Sequence, residues 1–106
     1  MVNRFEIYMI NLDPLPSRDA KNTRPCVIIS PDELNHHLDT VIVAPLSSTG
    51  LRYPTRIPVT FLNGRRSIVL DQIRAVDKER LIKKIGEIDK SERKETLACL
   101  AELFAE

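Results

Sequence analysis

Arg24-Pro25-Cys26-Val27-Ile28-Ile29-Ser30 is a short, nearly continuous apolar run led by one arginine. Val and Ile restrict χ1 and suit a pleated surface, so the run reads as a central strand buried on both faces. Pro25 is expected at the strand's first residue, because a proline inside a central strand removes a ladder hydrogen bond. Arg24 then stands at a strand mouth, where a backbone held by the core aims a permanently charged guanidinium outward. Such an arginine serves either to hold an anion or to close a rim salt bridge.

Upstream, Glu6 to Leu12 is dense in strand formers and ends at the turn signal Asp13-Pro14. Leu15 to Thr23 carries Pro16, Ser17, Arg18, Asp19, Lys21 and Asn22 without periodicity. It reads as a loop between two buried strands, longer than a simple hairpin connection and of the kind that often carries function. Downstream, Ser30-Pro31-Asp32-Glu33 reads as a helix start, with Ser30 as N-cap and Pro31 at the first position. That helix is short, because Asn35-His36-His37 gives way to Asp39-Thr40 and a third strand, Thr40 to Ala44, stopped by Pro45. A polar loop follows over Leu46 to Tyr53. Arg56 to Phe61 alternates, with Ile57, Val59 and Phe61 on one side, and Pro58 restricts it to a sheet edge. Asn63-Gly64 marks a hairpin turn. Ser67 to Val76 reads as one long strand with a polar break in its middle. Asp77 caps a single turn over Lys78 to Leu81, and Ile82 to Ile85 returns as a short strand. Asp89-Lys90-Ser91-Glu92 is a capping box, opening a helix whose apolar face is Leu97, Leu100, Ala101 and Phe104. The expected fold class is α+β: one domain over residues 1–106, a small, strongly bent antiparallel sheet or open barrel with a C-terminal helix.

Net charge is near neutral at +1 but unevenly spread. Through Gly86 there are thirteen Lys/Arg against nine Asp/Glu; after it, three against six. A basic body with an acidic tail suggests that the body meets something negative, without the strongly basic coat of a non-specific DNA binder. No apolar run reaches bilayer-spanning length, and the chain opens on no signal segment, so a cytoplasmic protein without membrane contact is expected. Cys26 and Cys99 fall in separate apolar runs and read as free, buried thiols rather than as a disulfide or metal ligands.

Polar groups fall at strand ends or breaks at Arg24, at Ser47 with Ser48, and at Asp71-Gln72-Ile73-Arg74, with Asp19 and Lys21 in the first loop. Arginine, hydroxyl and carboxylate together suit phosphate chemistry: the cation neutralises phosphoryl charge, the hydroxyl donates to its oxygens, and the carboxylate takes a proton. No phosphate-cradling glycine loop, no nucleophile elbow and no paired metal-ligand motif is present. The adjacent His36-His37 reads as a solvated surface pair.

The chain resembles the MazF/PemK family of toxin endoribonucleases along nearly its whole length. The matching features are Leu12-Asp13-Pro14, Lys21 with Thr23 to Ser30, Asn35, Val41 to Ser47 and, most specifically, Val69-Leu70-Asp71-Gln72-Ile73-Arg74-Ala75-Val76-Asp77-Lys78-Glu79-Arg80-Leu81. The resemblance implies an SH3-like bent sheet, a two-fold homodimer and metal-independent, cofactor-free cleavage of single-stranded RNA, in which the ribose 2′-hydroxyl attacks the neighbouring phosphate. By position it implies catalytic roles for Arg24, Ser47, Asp19 and Asp71, and RNA contacts from Lys21, Thr23, Ser48, Arg52 and Arg74. For Asp71 a structural role is equally open, pairing with Arg74 or satisfying backbone donors. It also implies an acidic antitoxin partner, with DNA reached only through the antitoxin complex. The first loop departs from the pattern: Ser17-Arg18-Asp19 stands where the family usually has a glycine and then Ser-Glu, and Phe5 stands where a glycine commonly precedes the first strand. Two other readings of this scaffold are a weak or silent RNA-binding and dimerisation module and a CcdB-type gyrase poison. The helix end Leu103-Phe104-Ala105-Glu106, without tryptophan or glycine, argues against the second.

Overall fold

The computed structural model describes residues 1–12, 23–48, 54–61 and 64–106. Its strands are β1 (Glu6–Asn11), β2 (Thr23–Ile28), β3 (Thr40–Ser47), β4 (Arg56–Phe61), β5 (Gly64–Val69), β6 (Arg74–Asp77) and β7 (Leu81–Glu87). Its helices are α1 (Asp32–His37) and α2 (Lys90–Leu103). The strands form one antiparallel sheet in the order β4-β5-β3-β2-β1-β7, with β6 also on β3.

β3 is the spine. One of its edges pairs with β2 from Ile28↔Val43 to Cys26↔Pro45. Its other edge is shared: β6 takes Thr40 to Val43, ending at Val43↔Arg74, and β5 takes Leu46 and Ser47. The long strand expected over residues 67–76 is therefore two strands, parted by a single 3-10 turn at Leu70–Gln72 that holds the polar step Asp71-Gln72. β3 runs through Pro45 instead of stopping there. The proline falls where β6 has ended and β5 has not begun, so one edge of β3 carries no ladder at that residue. Pro25 is likewise the third residue of β2, not the first; β2 pairs there with β1 alone, opposite Met9.

Cys26 through Ser30 are all buried, as a central strand requires. Period-two alternation sends their side chains into different clusters. Val27 and Ile29 join Phe5, Ile7, Ala44, Leu46, Ile57, Val59, Ile68, Leu70 and Ile88. Cys26 and Ile28 join Ile10, Val41, Val43 and Val76 on the other face. The sheet curls until its terminal strands meet: a Cβ added to Gly86 in β7 would lie 2.9 Å from the Phe61 ring of β4, so glycine lets the ring pack this closely. β4 is the terminal strand that Pro58 predicts, and Phe61↔Gly64 closes the β4–β5 hairpin, whose turn residues 62 and 63 lie outside the described residues.

Ser30 is not an N-cap. Pro31 holds that position without a side-chain cap, and the Ser30 hydroxyl pairs with Asn35 Oδ1 while accepting from Ile42 N at 2.9 Å. Asn35 Nδ2 donates back to Ser30 O at 2.8 Å, so the pair ties α1 to β3. The Asp77 side chain likewise makes no capping bond to the 3-10 turn Lys78–Arg80. The strand expected to end before Gly86 continues to Glu87. The capping box of α2 is present in both directions, Glu92 N to Asp89 Oδ1 at 3.0 Å and Asp89 N to Glu92 Oε1 at 3.2 Å. The helix face expected to pack does so only at Leu100. Thr96 is the buried residue, with Cys99 and Leu100 half-buried beside it, whereas Leu97, Ala101 and Phe104 are exposed. Thr96 donates its hydroxyl to Glu92 O at 2.8 Å and so buries no unsatisfied group. Phe5 has φ 72°, a left-handed conformation unusual for an aromatic residue, and its buried ring lies beneath the guanidinium groups of Arg4 (5.5 Å) and Arg93 (5.6 Å).

Candidate active site

Arg24 shares a face of β2 with Cys26 and Ile28, and Ser47 shares the corresponding face of β3 with Val41 and Val43. Arg74 lies directly opposite Val43 and the apolar Ile10 directly opposite Arg24, so three strands, β2, β3 and β6, bring polar side chains to one side of the sheet. There the second cluster opens into a groove of about 800 Å³. Its walls include Arg24, Ser47, Ser48, Arg56, Gln72 and Arg74, and its apolar floor includes Leu12, Cys26 and Val43. The groove exists because β5 and β6 part along β3, and the 3-10 turn between them carries Gln72 to its edge.

Three arginines and no acidic side chain line this groove among the described residues. Among those residues no carboxylate pairs with the Arg24 or Arg74 guanidinium, so the rim salt bridge weighed for Arg24 is not formed within them. Arg56 is held from behind: its Nε lies 3.7 Å from Asp71 Oδ1, which also accepts from Thr55 Oγ1 at 3.0 Å. Asp71 is therefore absent from the groove wall, and its partner is Arg56 rather than the Arg74 weighed from sequence. Cys26 is free and buried in the groove floor, where burial pushes its thiol up to about 12 against the pull of Arg74. It stays protonated near neutrality and is no nucleophile. Cys99 is also free but only half-buried, with Sγ 3.2 Å from Pro54 O.

Of the residues expected to form a site, Arg24, Ser47, Ser48 and Arg74 are brought together. Thr23 begins β2 beside them, opposite Asn11, and does not line the groove. Asp19, Lys21 and Arg52 lie outside the described residues. His36 and His37 are exposed on α1, with His36 Nε2 2.9 Å from Asn3 Oδ1. Arg56 and Gln72 were missed. Arg56 could have been found from the alternation of β4, since it is on the face opposite Ile57 and Val59. Gln72 lay within a step already singled out, overshadowed by its charged neighbours. No helix among the described residues is long and apolar enough to cross a membrane.

Residues 3–104 match the family model described as PemK-like, MazF-like toxin of type II toxin-antitoxin system. The chain is 32% identical to Endoribonuclease MazF of Staphylococcus epidermidis, over 86% of this chain and 81% of that relative. Its fold is shared with an endoribonuclease solved in complex with its cognate antitoxin from a mycobacterial species, at TM-score 0.80 and 22% identity over 96% of this chain and 93% of that one. Mycobacterium tuberculosis toxin MazF-mt6 gives TM-score 0.78 and 22% identity over 93% and 95% of the two chains. With a curled antiparallel sheet, a C-terminal helix and a family match over almost all of its length, this chain belongs to the PemK-like, MazF-like toxins of type II toxin-antitoxin systems.

Proposed function

We propose that this toxin is an endoribonuclease that cleaves single-stranded RNA by attack of a ribose 2′-hydroxyl on the adjacent phosphate, without a metal ion. The O2′–P bond forms as the P–O5′ bond breaks, giving a cyclic phosphate and a free 5′-hydroxyl. The proton from O2′ passes to the Asp19 carboxylate, and the departing O5′ takes one from water. The observation that carries this reading is the groove itself, with three guanidinium groups and two serine hydroxyls and no opposing carboxylate among its described lining residues. An arginine does not lose its proton near neutrality, so Arg24 acts as a clamp on the phosphate as charge builds on it. Ser47 orients the phosphate, while Lys21, Thr23, Ser48, Arg52 and Arg74 hold the strand to either side. Asp71 is recast as a positioning residue that acts through Arg56. Two copies of the chain, related by a two-fold axis, would share the substrate surface, and an acidic antitoxin segment would compete with RNA for it by charge. DNA is met only through that antitoxin complex, and the setting is the cytoplasm.

The test is cleavage of a mixed-sequence RNA in excess EDTA by wild type and by Arg24→Ala. Wild type is expected to cut and the variant to fail. Cutting only after a divalent metal is added, or equal cutting by the variant, overturns the mechanism. The shorter carboxylate at position 19 favours one second reading, a silent RNA-binding module. Asp19→Glu separates the two: a carboxylate moved by about 1 Å can change rate about a hundredfold, so a silent wild type that the longer side chain awakens establishes the module.

A further inference from the structure

A second concavity, of about 620 Å³, adjoins the first and shares Leu12 and Arg74 with it. Beyond that shared wall it is lined by Thr40, Ala75, Val76, Asp77 and Arg80, along β6, which among the described strands pairs with β3 alone. Its chemistry differs from that of the groove. Like the groove it has guanidinium groups, from Arg74 and Arg80, and a hydroxyl, from Thr40; unlike the described lining of the groove it also has an exposed carboxylate, Asp77.

Asp77 has no structural task that accounts for it. It occupies the N-cap of the 3-10 turn Lys78–Arg80, yet its side chain makes no capping hydrogen bond. Among the described residues no ion pair or hydrogen bond to its carboxylate is formed, even though Arg74 and Arg80 line the same space. An ionised carboxylate only accepts hydrogen bonds, so Asp77 selects a group that presents donors, while the arginines beside it suit the phosphate attached to that group. In single-stranded RNA the donors are the ribose 2′-hydroxyls, one apiece, and the base edges, where alone two can stand side by side for both oxygens of a carboxylate.

We propose that this second concavity is a nucleobase subsite next to the scissile phosphate, with Asp77 as its specificity-determining residue and guanine as the base it favours. Guanine presents N1–H and N2–H side by side, a matched pair for the two carboxylate oxygens. Cytosine offers one amino group, and uracil and adenine offer no such pair. The base lies against Leu12 and Val76 at the edge of β6 while Arg74, at the junction, takes the phosphate that links it to the neighbouring groove. The proposal rests on the ribonuclease reading for its substrate, and it deepens that reading by assigning one base position.

The test has a binding arm and a cleavage arm. In the first, isotope-labelled Arg24→Ala protein is titrated with GMP, AMP, CMP and UMP, following the backbone amides of residues 74–77 by NMR. GMP is expected to bind about tenfold more tightly than AMP or UMP, the order of discrimination of one good bidentate pair, with IMP, which lacks the N2 amino group, falling between. Adding Asp77→Asn is expected to remove the preference while the spectrum remains that of a folded protein. In the second, the RNA ends left by wild type and by Asp77→Asn are sequenced, and the variant is expected to relax preference at a single flanking position. Equal binding of the four nucleotides, amides of β6 that do not move, or a GMP preference that survives Asp77→Asn overturns the subsite. If GMP is selected as stated but no RNA is cut by wild type, the ribonuclease reading fails and the subsite stands.

Discussion

The two sides of β2 and β3 are built from one alternation and end up unlike each other. On one side eleven buried residues, among those described, are packed beneath α2 and the Phe61 ring. On the other, six buried residues have, among those described, only Val2, Tyr8, Leu12 and Leu81 packed around them, and no described helix covers them. The candidate site opens on the thinly covered side. The rows that supply Cys26 and Val43 to that cluster run on, two residues at a time, to Arg24 and to Pro45 and Ser47. A guanidinium at the end of a short apolar row reaches water without the desolvation that a charge set in the thicker cluster would suffer. The thick side therefore holds the sheet's curl, and the thin side presents chemistry.

Substitutions on the two sides should separate activity from stability. Arg24→Ala is expected to lower cleavage by about 10²–10³-fold, the scale for removing one preorganised donor from a developing charge, with no change in thermal unfolding, because Arg24 is exposed. Ile68→Ala, at a fully buried residue of the thick cluster, is expected to cost about 2–5 kcal/mol of stability and to leave cleavage per folded molecule unchanged. Urea unfolding and a low-temperature cleavage assay on both variants check the pair. An Arg24→Ala protein that melts early, or a folded Ile68→Ala protein that has lost activity, would break the division.

Much of this division was legible in the sequence, and the parts that were not share a cause. The apolar run after Pro25 gave both faces of the central strand, and the Asp89 capping box placed the start of α2 correctly. Ser47 was placed in a polar loop after Pro45, yet it lies within β3. A proline predicts a strand end only where both edges are paired, and which edge is free depends on partners distant in the chain. The same is true of Pro25 within β2. The packed face of α2 was misread because Thr96 satisfies its own hydroxyl through Glu92 and can be buried, a local bond that apolar spacing does not reveal. Arg56 was missed because its place in the groove depends on β4 pairing with β5, and on β5 and β6 parting along β3.

Closure of the curl can be probed where β4 meets β7. Gly86→Ala sets a methyl group 2.9 Å from the Phe61 ring, and overpacking of this kind costs about 1–3 kcal/mol. The lower end is expected, since Phe61 is half-buried and its ring can tilt. Phe61→Leu in the same chain should recover part of the loss. Thermal melts of the single and double variants report it, and additive losses would show that the ring is not what crowds position 86.

The smallest effect belongs to the thin side, where Glu6 is a buried carboxylate on the same face of β1 as Ile10. Burial by itself pushes this carboxyl up. The Lys84 ammonium at 2.7 Å and the backbone N–H of Asn3 at 2.6 Å more than offset that push and hold it below its ordinary value of 4.5. A carboxyl whose folded pKa is depressed adds stability above its unfolded pKa and loses it as pH falls through the lower, folded one. The urea midpoint should therefore be level from neutrality down to about pH 5 on account of this group, then decline below pH 4.5. Lys84→Met removes the largest source of the depression and should make that acid decline shallower. An unchanged acid slope in Lys84→Met would mean that the Asn3 N–H and the N-terminal ammonium keep Glu6 ionised, and that the thin side holds its buried charge without help from β7.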